Sequence, residues 1–179
     1  MQQSRKEQIR DAFINLYSEK DINQISVQEL CDRISMSRTG FYHYYEDLYE
    51  LLQDLIHQVL SDLQDLNKDF YKINLNNYQE AQPCYDTLTY IQDNSRLFNA
   101  LLRHQGTNNF VYQWKQIIAD DFRRRYMFQN KNDPKLDLIL EMTSSAVIGL
   151  YDYWLRHPGE ITEDEIAGAI LFQVCHTLV

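Results

Sequence analysis

The residues from Arg38 to Tyr45 carry the side chains best suited to recognise a ligand at a surface. If this run is helical, Phe41 and Tyr45 lie one turn apart and pack inward. The opposite side then carries hydrogen-bonding groups: Arg38, Thr39, Tyr42 and His43. Guanidinium, hydroxyl and imidazole groups bind phosphates and the edges of bases. The run therefore predicts a nucleic-acid-binding surface.

The charge of the chain opposes this prediction. The 179 residues contain 17 Lys or Arg and 26 Asp or Glu, for a net charge of −9. Residues 1–57 hold six Lys or Arg and ten Asp or Glu, so their local net charge is 6 − 10 = −4. A protein that coats nucleic acid by electrostatics alone is excluded. Any DNA contact must come from a few well-placed groups.

The elements that position this run are predicted to be helices, because apolar residues recur at helical spacing and the chain has only five Gly and three Pro. The predicted fold class is all-α, with about nine helices. The expected helices cover residues 4–20, a two-turn helix after Ser26, 38–45, 48–73, 84–93, 95–105, 109–129, 134–157 and 163–178. Residues 74–82 are polar and aperiodic, which indicates a loop.

Two serines mark the starts of short helices. Ser26, followed by Glu29 three positions later, predicts a capping box, and Ser37 caps the next helix after a turn of three residues, 35–37. Thr162 and Glu165 predict a second capping box before the last helix. Two short helices joined by so short a turn match a helix-turn-helix, in which the second helix enters the major groove.

Gly40 lies inside the second of these helices, where glycine costs about 1 kcal/mol relative to alanine. Close approach of the backbone to DNA explains it, and so does room for a neighbouring helix. The sequence leaves both explanations open. We divide the chain into a helix-turn-helix head (1–47), which continues into a linking helix (48–73), and a larger helical-bundle body (48–179).

The runs 25–31, 36–45 and 48–52 resemble the DNA-binding head of the TetR family of bacterial regulators, over about residues 5–56. The resemblance implies that Arg38 and Thr39 face bases, that Tyr42 and Tyr44 reach phosphates, and that Ser26 offers a backbone amide to another phosphate. The predicted DNA-binding set is Ser26, Val27, Ser37, Arg38, Thr39, Gly40, Tyr42, His43 and Tyr44. The implied function is a transcriptional regulator, in the first instance a repressor that reads a palindromic operator.

The sequence departs from this family at Glu46 and Asp47, where family members commonly carry lysine or another polar donor. Either these carboxylates cap the fourth helix, which their position favours, or DNA affinity is weak. An alternative function is therefore a TetR-like module that binds another protein and has weak or lost DNA binding.

The body looks similar to a TetR-type effector-binding and dimerisation domain, at residues 96–102 and 144–151. Small residues interrupt its last two helices, and a helix-turn-helix head needs a two-fold partner, so we expect a homodimer through these helices. The predicted interface residues are Ser145, Gly149, Tyr153, Ala169, Ile170 and Gln173. Aromatic residues at helical spacing line either an effector pocket or a plain core: Tyr90, Phe98, Phe110, Trp114, Phe122 and Tyr151.

Other classes of protein find no support in the sequence. It has no phosphate-binding glycine loop, paired metal-binding histidines or nucleophile elbow, so we expect no catalysis, no cofactor and no metal. Cys31, Cys84 and Cys175 are too far apart for a zinc site and predict reduced thiols. No apolar run approaches the roughly 20 residues that span a bilayer, so we expect no membrane partner and a cytoplasmic location.

Overall fold

The computed structural model describes residues 4–68, 82–104, 109–126 and 135–177, and within them it confirms the all-α fold, with no strand. The helices are α1 (Arg5–Glu19), α2 (Val27–Arg33), α3 (Arg38–Phe41), α4 (Leu48–Asn67), α5 (Gln82–Asp93), α6 (Ser95–Arg103), α7 (Phe110–Tyr126), α8 (Leu136–Arg156) and α9 (Glu163–Thr177). A 3₁₀ turn (Ile22–Gln24) separates α1 from α2. Most of the loop predicted at 74–82 lies outside the described residues.

The third helix is shorter than predicted. It ends at Phe41, and Tyr42–Tyr44 continue as turns. The backbone N–H of Tyr44 donates to the carbonyl of Phe41 at 2.9 Å, three residues back instead of four. Such bonds tighten the last turn of a helix. The prediction of a helix through residue 45 was therefore wrong, although Tyr45 still packs inward.

The described chain divides into two compact units. The first unit comprises Met1–Val59 and Arg96–Asn109, and the second unit comprises Leu60–Ser95 and Phe110–Val179. The first unit thus includes most of α6, which the sequence analysis placed in the body. Contacts between residues distant in the sequence explain this grouping: Arg103 donates to the carbonyl of Ser18 at 3.0 Å, and His104 lies 3.1 Å from the carbonyl of Tyr17.

The core of the first unit is built from the apolar stripe that helical spacing predicts in α1. Its members are fully or almost fully buried: Ile9, Ala12, Phe13, Leu16 and Tyr17. They pack with buried residues from the following elements, chiefly Ile22, Leu30, Cys31, Phe41, Leu51 and Leu52. Removal of this surface from water stabilises the unit by roughly 25 cal/mol per Å² of apolar area.

The second unit is a bundle in which α8 packs against both α7 and α9. The predicted capping box at the start of α9 is confirmed, because Glu165 accepts from the N–H of Thr162 at 2.9 Å and donates its own N–H to the Thr162 hydroxyl at 3.3 Å. Buried side chains of this unit include Leu88, Phe110, Trp114, Tyr151 and Trp154. None of the helices in the described ranges combines the length and the apolar character needed to cross a membrane.

Candidate functional site

The turn between α2 and α3 reverses the chain within four residues. The N–H of Met36 bonds to the carbonyl of Cys31 at 3.0 Å, and Ser35 adopts φ = 50°. This is the Schellman arrangement, in which glycine usually occupies the left-handed position. Ser37 then starts α3, because its hydroxyl accepts the N–H of Gly40 at 3.1 Å. The predicted cap of α3 is thus confirmed.

The segment that follows has two unlike sides. Phe41 and Tyr45 are buried in the first unit, with exposures of 0% and 4%. Tyr42 and Tyr44 are 47% and 44% exposed, respectively. Of the remaining members of the predicted surface in this segment, Gly40 is half-buried and four are exposed: Ser37, Arg38, Thr39 and His43. One surface therefore presents a guanidinium, an imidazole and several hydroxyls to solvent.

Arg38 differs from the cations around it. Its guanidinium contacts the Tyr42 hydroxyl at 3.3 Å, and this hydrogen bond raises the pKa of Arg38. No carboxylate lies within 4 Å of it among the described residues. By contrast, four other cations of the first unit each pair with a carboxylate: Lys6, Arg10, Lys20 and Arg33. The positive charge of Arg38 thus remains available to an anion.

The start of α2 carries two further predicted residues. The Ser26 hydroxyl accepts the N–H of Glu29 at 3.1 Å, which confirms the cap. The Glu29 carboxylate, however, lies 2.7 Å from Lys20 Nζ, whose hydrogen bond is the main cause of its lowered pKa. No bond from the Ser26 N–H to the Glu29 side chain accompanies this cap among the described residues, so the predicted capping box is only half formed. Val27 is half-buried beside the exposed Ser26.

Gly40 has a local explanation. A Cβ at this position would lie 3.1 Å from Cγ of Met36 and 3.3 Å from the Ser37 hydroxyl oxygen. Both distances are shorter than ordinary van der Waals contact, so a side chain here presses on the turn and on the cap of its own helix. The absence of a side chain at Gly40 is therefore required by the turn and cap of its own helix, and not by a neighbouring helix.

The acidic pair before α4 has two separate roles. Asp47 caps the helix, because its carboxylate accepts the N–H of Glu50 at 2.8 Å. The Glu50 carboxylate in turn accepts the backbone N–H of Glu46. The side chain of Glu46 is exposed and takes no part in these bonds. Capping thus accounts for Asp47, while Glu46 leaves an uncompensated negative charge near the exposed surface.

Asp54 of α4 holds the inner side of the segment in place. Its carboxylate accepts the Tyr45 hydroxyl at 2.7 Å and lies 3.2 Å from Lys6 Nζ and 3.3 Å from the Arg10 guanidinium. Burial alone would raise the pKa of Asp54, but these donors and charges outweigh it and lower the pKa. The segment from Arg38 to Tyr45 is thereby tied at its last residue to both α1 and α4.

The second unit contains a cavity, which we call the second-unit cavity. The space free of protein atoms in the cavity and its opening is about 520 Å³. Helices α4, α5, α7, α8 and α9 contribute its lining: Leu63, Asn67, Cys84, Thr87, Trp114, Ile117, Ile118, Asp121, Phe122, Val147, Tyr151, Ile170 and Val174. This mainly apolar lining with a few polar groups suits a small ligand.

Three of the predicted pocket residues line this cavity, namely Trp114, Phe122 and Tyr151. Phe110 is buried behind it, with its ring centroid 5.3 Å from that of Trp114. Tyr90 donates its hydroxyl to Asp62 at 2.7 Å. Phe98 lies in α6 and is buried in the first unit, so its assignment to a body pocket was wrong.

The predicted interface residues are mostly accessible. Gly149 and Tyr153 are exposed, and Ser145, Ala169 and Gln173 are half-buried. Ile170 is 2% exposed and lines the cavity, so it does not lie on an accessible surface. A Cβ placed on Gly149 or Gly168 would meet no atom within 4 Å. Packing inside the chain therefore does not explain these glycines.

Asp121, which was not predicted as a site residue from the sequence, is only 7% exposed and lines the cavity. Its helical spacing from Trp114 and Ile118 places it on an apolar stripe, and that signal was available in the sequence. Burial raises its pKa to about 6. No cluster of three or more His, Cys, Asp or Glu side chains suited to a metal ion occurs in the described part of the chain.

Comparison with known proteins decides the family. The family TetR_C_8, a transcriptional regulator C-terminal region, matches residues 76–173, more than half of the chain. The chain belongs to the TetR family of transcriptional regulators. Its helix-turn-helix and helical bundle agree with this membership.

Similar proteins extend the match to the rest of this TetR-family chain. The uncharacterized HTH-type transcriptional regulator YxbF of Bacillus subtilis (strain 168) is 20% identical over 171 residues, which cover 93% of this chain. The aligned region is 44% of YxbF, so this chain spans less than half of the length of that relative.

Solved structures support the fold. A TetR-family transcriptional regulator from Syntrophomonas wolfei superimposes with a TM-score of 0.72 and 16% identity, covering 98% of this chain and 95% of that one. The dihydroxyacetone kinase operon activator DhaS gives a TM-score of 0.64 and 18% identity, covering 96% and 95% of the two chains, respectively. At these identities the likeness concerns architecture alone.

Proposed function

We propose that this TetR-family regulator binds an operator in double-stranded DNA through residues 38–44, with Arg38 and Thr39 toward bases and Tyr42 and Tyr44 toward phosphates. The observation that supports this most directly is the charge of Arg38, which lies on an exposed polar surface and has no carboxylate partner among the described residues. A guanidinium forms the commonest specific contact with guanine in the major groove. Cytoplasmic action is part of the proposal, because the operator is there.

A gel shift on DNA selected from a random pool tests this proposal. Arg38→Ala is expected to weaken binding about 10–100-fold, as loss of a bidentate base contact does. Arg33→Ala is the matched control, because Arg33 is paired with Glu19 at 3.3 Å and its removal changes the net charge equally. Equal losses in the two variants, or no retardation of any DNA at low salt, would contradict the proposal.

The second candidate function is a TetR-like module that binds a protein and no longer binds DNA. The net charge of −4 over residues 1–57 and the exposed Glu46 favour it. The gel shift separates the two candidates. A DNA-binding regulator gives sequence-dependent retardation that weakens with salt, whereas the protein-binding module gives none.

We further propose a homodimer through α8 and α9, which the spacing of two operator half-sites requires. Large apolar side chains are exposed on these helices: Leu138, Met142, Tyr153 and Phe172. The empty space beside Gly149 and Gly168 leaves room for a partner helix. Sedimentation of Gly149→Arg is expected to show a monomer. Gln116→Arg, at an exposed position of α7, should remain a dimer.

The final part of the proposal is repression relieved by a small ligand in the second-unit cavity. Its apolar lining supports ligand binding. DhaS, a protein of similar architecture, is named as an operon activator. Activation is the opposite of the repression proposed for this chain. Deletion of the gene should raise expression of a reporter driven by the selected operator. A fall in expression would show activation instead.

A further inference from the structure

The polar groups of the second-unit cavity have unused hydrogen-bonding capacity. Asp121 is 7% exposed, and no hydrogen-bond donor or ion-pair partner reaches its carboxylate in the part of the chain that the structure describes. The hydroxyl of Tyr151, on α8, likewise has no partner among the described residues. A buried carboxylate normally finds a donor within the protein, because desolvation of its charge is costly. This one faces a cavity instead.

Asn67 adds a second acceptor, and its orientation follows from its neighbours. The Thr87 hydroxyl donates its single hydrogen to the carbonyl of Pro83 at 2.9 Å, so it can only accept from Asn67. The amide nitrogen of Asn67 donates to Thr87 and to the carbonyl of Leu63, both at 2.9 Å. Both amide hydrogens are therefore used, and the amide oxygen of Asn67 remains an acceptor without a donor among the described residues.

The charges around the cavity select the sign of a ligand. No described residue that lines it is Lys, Arg or His. The other titratable residues that line the cavity are Cys84 of α5 and Tyr151 of α8, and burial raises the pKa of both, which keeps them neutral. On α7 itself, the charges of Arg124 and Asp120 act on Asp121 with opposite signs. An anion would meet the charge of Asp121 and no cationic side chain in the described lining, whereas a cation would meet an opposite charge.

The walls of the cavity suit an apolar body attached to that cation. The rings of Trp114 and Tyr151 are stacked, with centroids 5.4 Å apart and planes 12° apart. Aromatic faces attract cations and also pack against aliphatic groups. The other walls are aliphatic or aromatic, including Ile117, Phe122 and Val147.

We infer that the second-unit cavity binds a small apolar amine in its protonated form, with the ammonium group on Asp121 and Asn67 and the apolar part against Trp114, Phe122 and Val147. This inference rests on the proposed role of the cavity as a ligand site. It adds the chemical class of the ligand. An ammonium donates hydrogen bonds to the unused acceptors and neutralises the buried carboxylate.

Acidity provides a test of the contact with Asp121. An alkylamine stays protonated throughout the range from pH 5 to pH 8. Asp121, with a pKa of about 6, becomes protonated as the pH falls through 6. Affinity for the amine should therefore be about tenfold lower at pH 5 than at pH 8. The same pH change should leave the binding of a neutral ligand unaltered.

Calorimetric titration of the full chain with three probes of equal length provides the measurement: hexylamine, 1-hexanol and hexanoate. We expect hexylamine to bind at least tenfold more tightly than 1-hexanol, and hexanoate to bind most weakly. Asp121→Asn should remove the preference for the amine and its pH dependence. Asp120→Asn is the matched control, because Asp120 is exposed on the same helix and carries the same charge.

Two results would overturn the inference. One is equal affinity for hexylamine and 1-hexanol, and the other is a preference for the amine that survives in Asp121→Asn. Absence of binding by all three probes would overturn it as well. Failure here differs from failure of the proposed function, because retardation of selected DNA by the ligand-free protein is measured separately. If the protein retards DNA but binds no amine, the proposed DNA binding stands and the inferred amine site is wrong.

Discussion

The half-buried Asp54 of the first unit and the buried Asp121 of the second unit have opposite surroundings. In the first unit, Asp54 accepts a hydroxyl and faces two cations, Glu29 faces Lys20, and Asp47 caps a helix. In the second unit, Asp121 is buried without a donor from the described residues. A satisfied network fixes one geometry. An unsatisfied group costs stability, which is typical of a site that awaits a ligand.

The variant with the largest expected change in stability is Asp121→Asn, measured in the ligand-free protein. Raising the pKa of a carboxyl from 3.8 to about 6 destabilises the folded state by about 3 kcal/mol at neutral pH. The folded chain holds the proton more tightly than the unfolded chain, so stability falls as the pH rises through this interval. The variant should therefore be more stable in urea at pH 7.5, by up to about 3 kcal/mol. At pH 3.5 the gain should vanish.

Asp120→Asn again serves as the control, with a change expected within about 0.5 kcal/mol at both pH values. A variant of Asp121 that is less stable than the parent at pH 7.5 would show that the carboxylate has a donor and belongs to the structural framework.

In the first unit the corresponding change is Tyr45→Phe, which removes the hydrogen bond to Asp54. Bonds to charged groups contribute about 1.5–3 kcal/mol, and we expect a loss of that size in urea unfolding. The pKa of Asp54 is lowered, so its stabilisation is present above the carboxyl's ordinary pKa and is lost as the pH falls through the lowered value. As the pH falls, the stabilisation by Asp54 should thus be lost, and the destabilisation by Asp121 should be lost as well.

Tyr44→Phe is the matched control for Tyr45→Phe, because the Tyr44 side chain is 44% exposed. Its stability should be unchanged, while its DNA affinity tests the proposed phosphate contact. If both phenylalanine variants were equally stable, the Asp54 network would be a minor element of the first unit.

A smaller effect is expected from Ser37→Ala. The Ser37 hydroxyl caps α3 through Gly40, and loss of such a cap costs about 1 kcal/mol. Hydrogen exchange should show faster opening around residues 38–41 and little change in the second unit. Ser35→Ala, in the same turn, keeps the cap and separates capping from backbone strain.

The smallest change in stability, within about 0.5 kcal/mol, is expected for Glu46→Lys, because this exposed side chain makes no bond among the described residues. If residues 38–44 contact DNA, a cation here adds about one phosphate contact. The slope of log affinity against log salt should then steepen by about 0.9. An unchanged slope would place Glu46 outside the DNA-contacting surface.

The sequence was sufficient wherever local chemistry decides the structure. Ser26, Ser37 and Thr162 cap helices as predicted, because a cap needs only a hydroxyl and the next three residues. The two sides of the segment after Ser37 follow from helical spacing alone. The early end of α3 was missed, because the choice between hydrogen bonds to the third and fourth preceding residues depends on small differences in packing.

Long-range contacts decided the features that the sequence did not reveal. Phe98 belongs to the first unit because Arg103 and His104, at the end of α6, contact carbonyl groups of α1. The spacing of residues within α6 does not identify these partners. Asp121 follows Asp120 in a charged stretch that is typical of a solvated surface. Its spacing from Trp114 and Ile118 places it on an apolar stripe, but that spacing does not show that Cys84 and Tyr151, from distant parts of the chain, line the same cavity.

The buried carboxylate of Asp121 in the second unit also has a genetic consequence. One nucleotide substitution converts an aspartate codon into an asparagine codon, so cells carrying Asp121→Asn arise in any large culture. Selection for abundance of the protein alone should enrich them, because the variant folds more stably. Selection for a regulated response to an amine should remove them. Sequencing of position 121 after growth under each regime would show these opposite outcomes within one population.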